Sequence, residues 1–211
     1  QGYRLAGSRQ EYLYDPACAQ LTPKQATRAT KNLRRDLSHL ATGSHQRITV
    51  TDLPIEDAKR IADLYASLYL ERYCDNNPQF TPAFVSLAQR SGFLDMMALQ
   101  QHGSLDGVVG FYHLNRVMTA PLLGYDTQLP KNYGLYRILS SSLTQFATER
   151  GLISHKSSGV ADFKRHRGFT GWIEYSAIFD QHLPRYRRWG WGLLAAMVDW
   201  VAIPTLKRYE L

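Results

Sequence analysis

The sequence predicts an α/β fold: a mixed, mostly antiparallel sheet with helices on both faces. Three observations lead to this prediction. Helix-type apolar spacing dominates residues 22–92, strand-type alternation follows over residues 94–125, and a strand, helix, strand order comes after them. An antiparallel series of strands that runs into one strand–helix–strand unit gives a sheet of mixed direction.

Start and stop signals define the individual elements. Thr22-Pro23 and Thr81-Pro82 each combine a helix cap with a proline at the first helical position. Asp106-Gly107 is a hairpin signal. The expected helices are residues 22–41, 52–73, 81–92, 134–150 and 160–167, and the expected strands are residues 48–50, 94–100, 108–117, 119–125, 153–156 and 172–179.

Composition limits the class of protein. The chain has 211 residues, 44% hydrophobic and 20% charged, which suits a globular domain with a buried core and excludes fibrous or disordered chains. The 25 basic and 18 acidic side chains give a net charge of +7, which favours anionic partners such as phosphates, nucleic acid or acidic lipid. Cys18 and Cys74 lack disulfide or zinc spacing, so we expect no metal site and a reducing, cytoplasmic compartment.

The two ends of the chain differ from its middle. Residues 1–21 have no apolar signal-peptide core and do not begin with Met, and we interpret them as a leading segment, compatible with the end of a truncated preceding domain. Residues 22–180 hold the predicted domain, and residues 181–211 hold a basic and aromatic segment with a helix. The apolar run at residues 193–203 is shorter than the roughly 20 residues that span a bilayer, so no transmembrane helix is predicted.

Two basic surfaces are expected. At about 100° per residue, Lys24, Arg28, Lys31 and Arg35 share one face of the first helix. This stripe is either a solvated helix face or an anion-binding surface.

The C-terminal segment RYRRWGW at residues 185–191 joins arginines to aromatic residues. It suits an interfacial contact with an anionic membrane. It equally suits a helix that buries Leu194, Val198 and Val201 against the domain or a missing neighbour. Nucleic-acid binding is the third alternative, because basic and aromatic side chains together grip unpaired ends.

Three segments carry a resemblance to a known family. They are KNLRR at residues 31–35, LLGYD at residues 122–126 before the helix from Gly134, and FKRHRGF at residues 163–169. Together with the topology, they resemble the GNAT superfamily of acyltransferases, in particular its FemAB-like members and the aminoacyl-phosphatidylglycerol synthases. The resemblance covers about residues 20–180. It implies an acyltransferase, in a group where the domain is often one of two in tandem.

The resemblance also bears on the acyl donor. In GNAT enzymes the loop before the long helix wraps the pyrophosphate of coenzyme A, and Lys131 and Gly134 match part of that pattern, whereas Tyr136 replaces a small residue and would crowd the phosphates. No permanently bound cofactor is implied, only acyl-CoA or the phosphopantetheine arm of an acyl-carrier protein as co-substrate. The FemAB-like members imply instead an aminoacyl ester on transfer RNA. We favour the thioester donor slightly, because its class is the larger one.

The resemblance places Lys164 near the donor carbonyl, where an ammonium would stabilise the oxyanion of the transition state. Arg167 could hold a phosphate of the donor or acceptor through its planar fork. The alternative for Lys164, Arg165 and Arg167 is a solvated helix face. The hydroxyls of Ser157 and Ser158 would bond a donor amide or cap the next helix.

A base that takes a proton from the acceptor is also expected. Asp126 and His155 are the candidates. The alternative for Asp126 is a turn or cap aspartate, and the alternative for His155 is a structural histidine on a short strand. We expect strands 119–125 and 153–156 to part beside Gly134. The predicted function is transfer of an acyl group from a thioester to a small-molecule amine or hydroxyl by direct attack. The alternatives are transfer from aminoacyl-tRNA and a non-catalytic GNAT-like binding module.

Overall fold

The computed structural model describes residues 3–17, 21–43, 45–50, 55–72 and 74–209. Asp52 and Tyr73, the expected ends of the second helix, lie outside these ranges, as does Cys18. The described elements, in chain order, are β1 Tyr3–Tyr14, α1 Pro23–Thr42, β2 Gln46–Val50, α2 Ile55–Tyr69, α3 Pro82–Arg90, β3 Asp95–Gln101, β4 Ser104–Leu114, β5 Val117–Tyr125, a 3-10 turn Lys131–Tyr133, α4 Leu135–Glu149, β6 Ile153–Lys156, α5 Ala161–Arg165, β7 Thr170–Phe179, α6 Arg185–Met197, a π-helical turn Val198–Ala202, and α7 Ile203–Tyr209.

The chain divides into two compact units. The central unit comprises Asp15–Ser154, and the terminal unit joins Gln1–Tyr14 to His155–Leu211. Strand β6 lies where the chain passes from the central to the terminal unit.

Both predicted caps are present in the central unit. The Thr22 hydroxyl accepts the backbone N–H of Gln25, and the Gln25 side chain accepts the backbone N–H of Thr22, so a complete capping box starts α1. Thr81 accepts the N–H of Phe84 and starts α3 in the same way. These local bonds explain why the starts of α1 and α3 could be predicted from sequence.

The sheet of the central unit is an antiparallel series in which β2 pairs with β3, β3 with β4, and β4 with β5. Successive β3 residues point to opposite faces. Met96 and Ala98 pack with α2 and α3 on one face, whereas Met97 and Leu99 pack with α4 on the other. The predicted fold class, an α/β fold with a mostly antiparallel sheet and helices on both faces, is confirmed.

The turn between β3 and β4 differs from the prediction. Gln101 pairs with Ser104, so the turn consists of His102 and Gly103, which both have positive φ, 49° and 83°. A two-residue hairpin with two positive φ angles matches the right-handed twist of its strands. Asp106, half of the predicted Asp-Gly signal, is instead a buried residue of β4 that contacts His45 Nε2 at 3.0 Å.

The terminal unit contains the largest departure from the sequence analysis. Residues 3–14, interpreted above as part of a leading segment, form strand β1, which pairs antiparallel with β7 from Tyr3–Phe179 to Leu13–Thr170. The first residues of the chain therefore complete a sheet with residues far along the sequence. Local spacing could not reveal this partner.

The C-terminal residues form a nearly continuous helical stretch. By length and composition alone, Arg185–Leu206, with 22 residues, could cross a membrane. The apolar run at residues 193–203, from which the sequence predicts no spanning helix, is part of this longer stretch. Leu194 and Val201, expected to be buried in one alternative, are 47% and 64% exposed. Neither residue is buried by the described part of the domain, and Val198 is half-buried. Burial of this face by a missing neighbour stays a prediction.

Gly124 offers a test of the packing between β5 and α2. A Cβ atom at Gly124 would lie 2.6 Å from the backbone nitrogen of Tyr65, so G124A must push strand and helix apart. We expect it to lower the free energy of unfolding by about 1–3 kcal/mol, measured by urea denaturation. The matched control is G190A, because a Cβ at Gly190 meets nothing within 4 Å. Equal losses in the two variants would contradict this account of the packing.

Candidate active site

Lys164 is buried in the terminal unit. It belongs to the short helix α5 and is 3% exposed. Its ammonium donates to the backbone carbonyls of Ser157 and Ser158, and its Nζ lies 5.0 Å from the centre of the Tyr12 ring. The solvated-face alternative is therefore wrong for Lys164, whose charge is directed into the protein.

Burial lowers the pKa of Lys164 to about 8, and the nearby Glu11 carboxylate partly offsets this effect by favouring the charged form. Below pH 8 the ammonium is the major form, and above it the neutral amine takes over. A lysine whose pKa is this close to neutrality is typical of functional sites, although structural ion pairs also shift pKa values.

Glu11 connects Lys164 to His155. The Glu11 side chain is 5% exposed, and its carboxylate lies 2.8 Å from Nε2 of His155 and also pairs with Arg9. When the His155 ring is neutral and Nε2–H faces the carboxylate, Nδ1 is its basic nitrogen. A carboxylate that orients a histidine in this way is the arrangement expected of a general base.

Glu11 and Tyr12 are site residues that the sequence analysis missed. Both lie in β1, which was interpreted as a segment outside the domain. Tyrosines and leucines recur through residues 3–14, and Glu11 is the single acidic residue among them. This composition is typical of a strand and could have placed the segment in a sheet, but only the tertiary structure brings Glu11 close to Lys164 and His155.

The other predicted residues of the terminal unit have mixed outcomes. Ser157 and Ser158 are exposed, and they contact Lys164 through their carbonyls rather than their hydroxyls. Arg167 is buried, and its guanidinium lies 3.5 Å from the centre of the Phe163 ring while it donates to the Phe163 carbonyl. The phosphate-binding role of Arg167 stays a prediction, and these contacts direct its fork back onto its own segment.

Asp126 belongs to the central unit, where it closes a turn. Its carboxylate pairs with Arg60 at 2.8 Å and accepts the backbone N–H of Gln128 at 2.9 Å. Burial opposes the charged form, but the bonds from Arg60 and the backbone outweigh it, and the pKa of Asp126 is lowered. A carboxylate stabilised in this way is a weak base, so the geometry favours the turn-aspartate alternative.

Lys131 and Gly134 also belong to the central unit, at the start of α4. Gly134 has φ 69° and connects the 3-10 turn to the helix, which explains the glycine. Lys131 is exposed. The sequence analysis missed Arg137, whose guanidinium lies so close to Gly134 that a Cβ there would be 3.0 Å from Arg137 Nη2. A second cation therefore accompanies the first turn of α4.

The strands expected to part begin side by side. The backbone N–H of Ile153, the first residue of β6, donates to the carbonyl of Arg116 just before β5, at 2.7 Å. A parting of the two strands farther along, beside Gly134, stays a prediction.

Several solved structures are similar to this chain. The C-terminal domain of an Agrobacterium fabrum protein named as a lysylphosphatidylglycerol synthetase matches over 93% of this chain and 66% of its own, with a TM-score of 0.61 and 15% identity. L-PGS from Bacillus licheniformis matches over 93% and 67%, with a TM-score of 0.60 and 14% identity. FemX matches over 78% and 60%, with a TM-score of 0.57 and 8% identity.

These likenesses concern the fold. The sequence matches no protein-family profile and no curated protein. The chain spans 66% of the length of the solved Agrobacterium fabrum chain and 60% of the length of FemX. The chain therefore shares its fold with these solved chains.

The electrostatic effect of Glu11 on Lys164 predicts a change in titration. Because the Glu11 carboxylate raises the pKa of Lys164, E11Q should move that pKa below its value of about 8. The measurement is an NMR titration of the Lys164 side chain. D162N is the matched control, because exposed Asp162 pairs with Arg165 and should leave Lys164 nearly unchanged. An unchanged or higher pKa in E11Q would show that Glu11 does not act on Lys164.

Proposed function

We propose that this chain is an acyltransferase domain that moves an acyl or aminoacyl group from a carrier to an amine or hydroxyl acceptor. One observation carries the proposal: Lys164 is a buried cation that shares a polar cluster with Glu11 and His155. The fold that the chain shares with FemX and with the protein named as a lysylphosphatidylglycerol synthetase supports it.

The reaction would proceed by direct attack. The acceptor nitrogen or oxygen forms a bond to the donor carbonyl carbon, and the carbonyl oxygen gains negative charge. The Lys164 ammonium stabilises this oxyanion, because a fixed cation in a water-poor site needs no reorganisation during the reaction. The intermediate then collapses, the bond to the carrier breaks, and the carrier leaves as an alcohol or thiol after it takes up the proton that the base removed from the acceptor.

His155 is the base in this proposal. Its Nδ1 removes the proton of the acceptor while Glu11 holds the ring through Nε2 and stabilises the imidazolium that forms. Asp126 is left out of this role because its carboxylate already binds Arg60. The His155 side chain is 30% exposed, so a substrate can reach it, whereas Glu11 acts through it as a positioning residue.

For the donor, we favour an aminoacyl ester carried on transfer RNA. Lys24, Arg28, Lys31 and Arg35 are all exposed on α1, and a row of cations along one helix is suited to phosphate contacts. The name of the Agrobacterium fabrum neighbour describes an aminoacyl lipid as its product. The acceptor would be a small amine or hydroxyl compound.

A thioester is the second candidate donor. The first turn of α4 combines Gly134 with the cation of Arg137 and exposed Lys131 nearby. Backbone N–H groups at a helix start together with cations can hold phosphate groups. Acyl-CoA or the phosphopantetheine of an acyl-carrier protein would then be the co-substrate.

K164M tests the proposed function. We expect kcat for acyl transfer to fall by about 10²–10³, the usual effect of removing one oxyanion donor, while KM for the acceptor changes little. In the wild type, kcat/KM should fall as pH rises through about 8, since the charged form of Lys164 is lost there, and K164M should lack this fall.

R165M is the matched control, because Arg165 is the next cation along the helix and pairs with Asp162. It should keep wild-type kcat. If K164M and R165M transfer the acyl group as well as the wild type, Lys164 has no role in catalysis. If no acyl donor is consumed by a folded wild type, the domain is a binding module.

The choice of donor predicts a salt dependence. If α1 binds transfer RNA, the K31Q/R35Q variant should reduce the slope of log K against log salt by about 0.7–0.9 per lost phosphate contact, measured by fluorescence titration with aminoacyl-tRNA. The K59Q/R90Q variant removes the same charge from other helices and should keep the wild-type slope. Equal slopes in both variants, with turnover of acyl-CoA, would favour the thioester donor.

A further inference from the structure

The helical stretch Arg185–Leu206 has its apolar side turned outward. At about 100° per residue, six large apolar side chains fall within one face, and their spacing covers about 22 Å of helix. All of them are at least half exposed: Tyr186 70%, Trp189 73%, Leu193 52%, Met197 57%, Trp200 83% and Val201 64%. We call these six residues the outer stripe. A contiguous exposed apolar surface of this kind marks an interaction site.

The opposite side of the same stretch packs against β1 through few residues. Ala195 and Ile203 are buried, and the Ile203 side chain lies against Gly7, where a Cβ would clash. The Asp199 carboxylate accepts the backbone N–H of Gly7 at 3.1 Å. The helix therefore packs on the terminal unit through two buried apolar residues and one carboxylate, while its larger apolar side chains face outward, unlike those of an ordinary surface helix.

Charge narrows the choice of partner. Arg185, Arg187 and Arg188 begin the stretch, Lys207 and Arg208 follow it, and Asp199 is its single acidic residue between 185 and 208. Because Asp199 turns inward to Gly7, the outer side presents apolar and cationic groups without an opposing carboxylate from this helix. Tryptophan and tyrosine favour the boundary between water and lipid, and cations favour anionic headgroups.

We propose that the outer stripe docks on an anionic lipid surface, with the helix lying along the membrane plane. The inward contacts argue against a spanning orientation, because a helix that crosses the bilayer would carry Asp199 and Arg188 into lipid, away from Gly7 and Asp180. The apolar stripe would enter the acyl boundary while the arginines remain at the headgroups. This proposal does not depend on the proposed acyl transfer.

The test is co-sedimentation of the whole chain with vesicles of phosphatidylcholine alone and of phosphatidylcholine mixed equally with phosphatidylglycerol. We expect binding to the mixed vesicles and much weaker binding to the neutral ones. The W189S/W200S variant should lower the partition coefficient by at least about tenfold. R185Q/R187Q should lower it about fivefold for each charge, and only on the mixed vesicles.

W172S is the matched control, because Trp172 is an exposed tryptophan of β7, outside the helix, and should bind like the wild type. Circular dichroism and thermal melting establish that each variant is folded. Absence of wild-type binding to the mixed vesicles would overturn the proposal, as would equal binding by W189S/W200S. Resistance of the bound protein to alkaline extraction would indicate a spanning helix and contradict the proposal. If the wild type binds no vesicles but forms a concentration-dependent dimer, and W189S/W200S does not dimerise, the outer stripe binds a second copy of the chain instead.

Discussion

The burial of Glu11 is the constraint on which the polar interior of the terminal unit depends. A carboxylate removed from water must be paired, because an isolated buried charge is far more costly than any single contact can offset. Here the pairing is supplied by His155 and Arg9, with Lys164 close enough to feel its charge. The strand pairing of β1 with β7 fixes Glu11 in this position, so backbone geometry and charge balance support one another.

The same desolvation gives Lys164 its chemical character. Burial makes its ammonium less stable than in water and lowers its pKa to about 8, but it also strengthens the interaction of that charge with any oxyanion formed beside it. The two carbonyls that accept from Nζ hold the group in place. A solvated lysine would have an ordinary pKa, and water would screen its charge from an oxyanion. The ability of Lys164 to stabilise an oxyanion therefore comes from its buried surroundings.

The outward apolar side of Arg185–Leu206 follows from the contacts that its inner side makes with β1. Gly7 allows the helix to approach β1 closely, and Asp199 satisfies a backbone donor there. The side of the helix that carries Ala195, Asp199 and Ile203 makes the internal contacts, which leaves Trp189 and Trp200 exposed. The cost of exposing them to water is recovered when a partner covers them, so the inner contacts of this helix create its outer surface.

Local signals in the sequence determined most of the helices, the strands of the central unit and the fold class. Caps such as Thr22 with Gln25 act between residues three positions apart, and alternation along β3 needs only the pattern of its own side chains. The basic stripe on α1 and the helical C-terminal segment follow from the same periodicity.

The site depended on contacts that no local pattern contains. Glu11 and His155 are 144 positions apart in the printed sequence, so no pattern within one segment brings them together. The sequence makes Asp126 a candidate base, but in the structure its carboxylate pairs with Arg60. The bond between Asp199 and Gly7 sets which side of the C-terminal helix faces β1, and Trp189 and Trp200 are left exposed on the other side. Spacing along the chain sets which residues share a face. The partner that this face meets, and therefore its burial, charge and chemistry, was decided only by the tertiary structure.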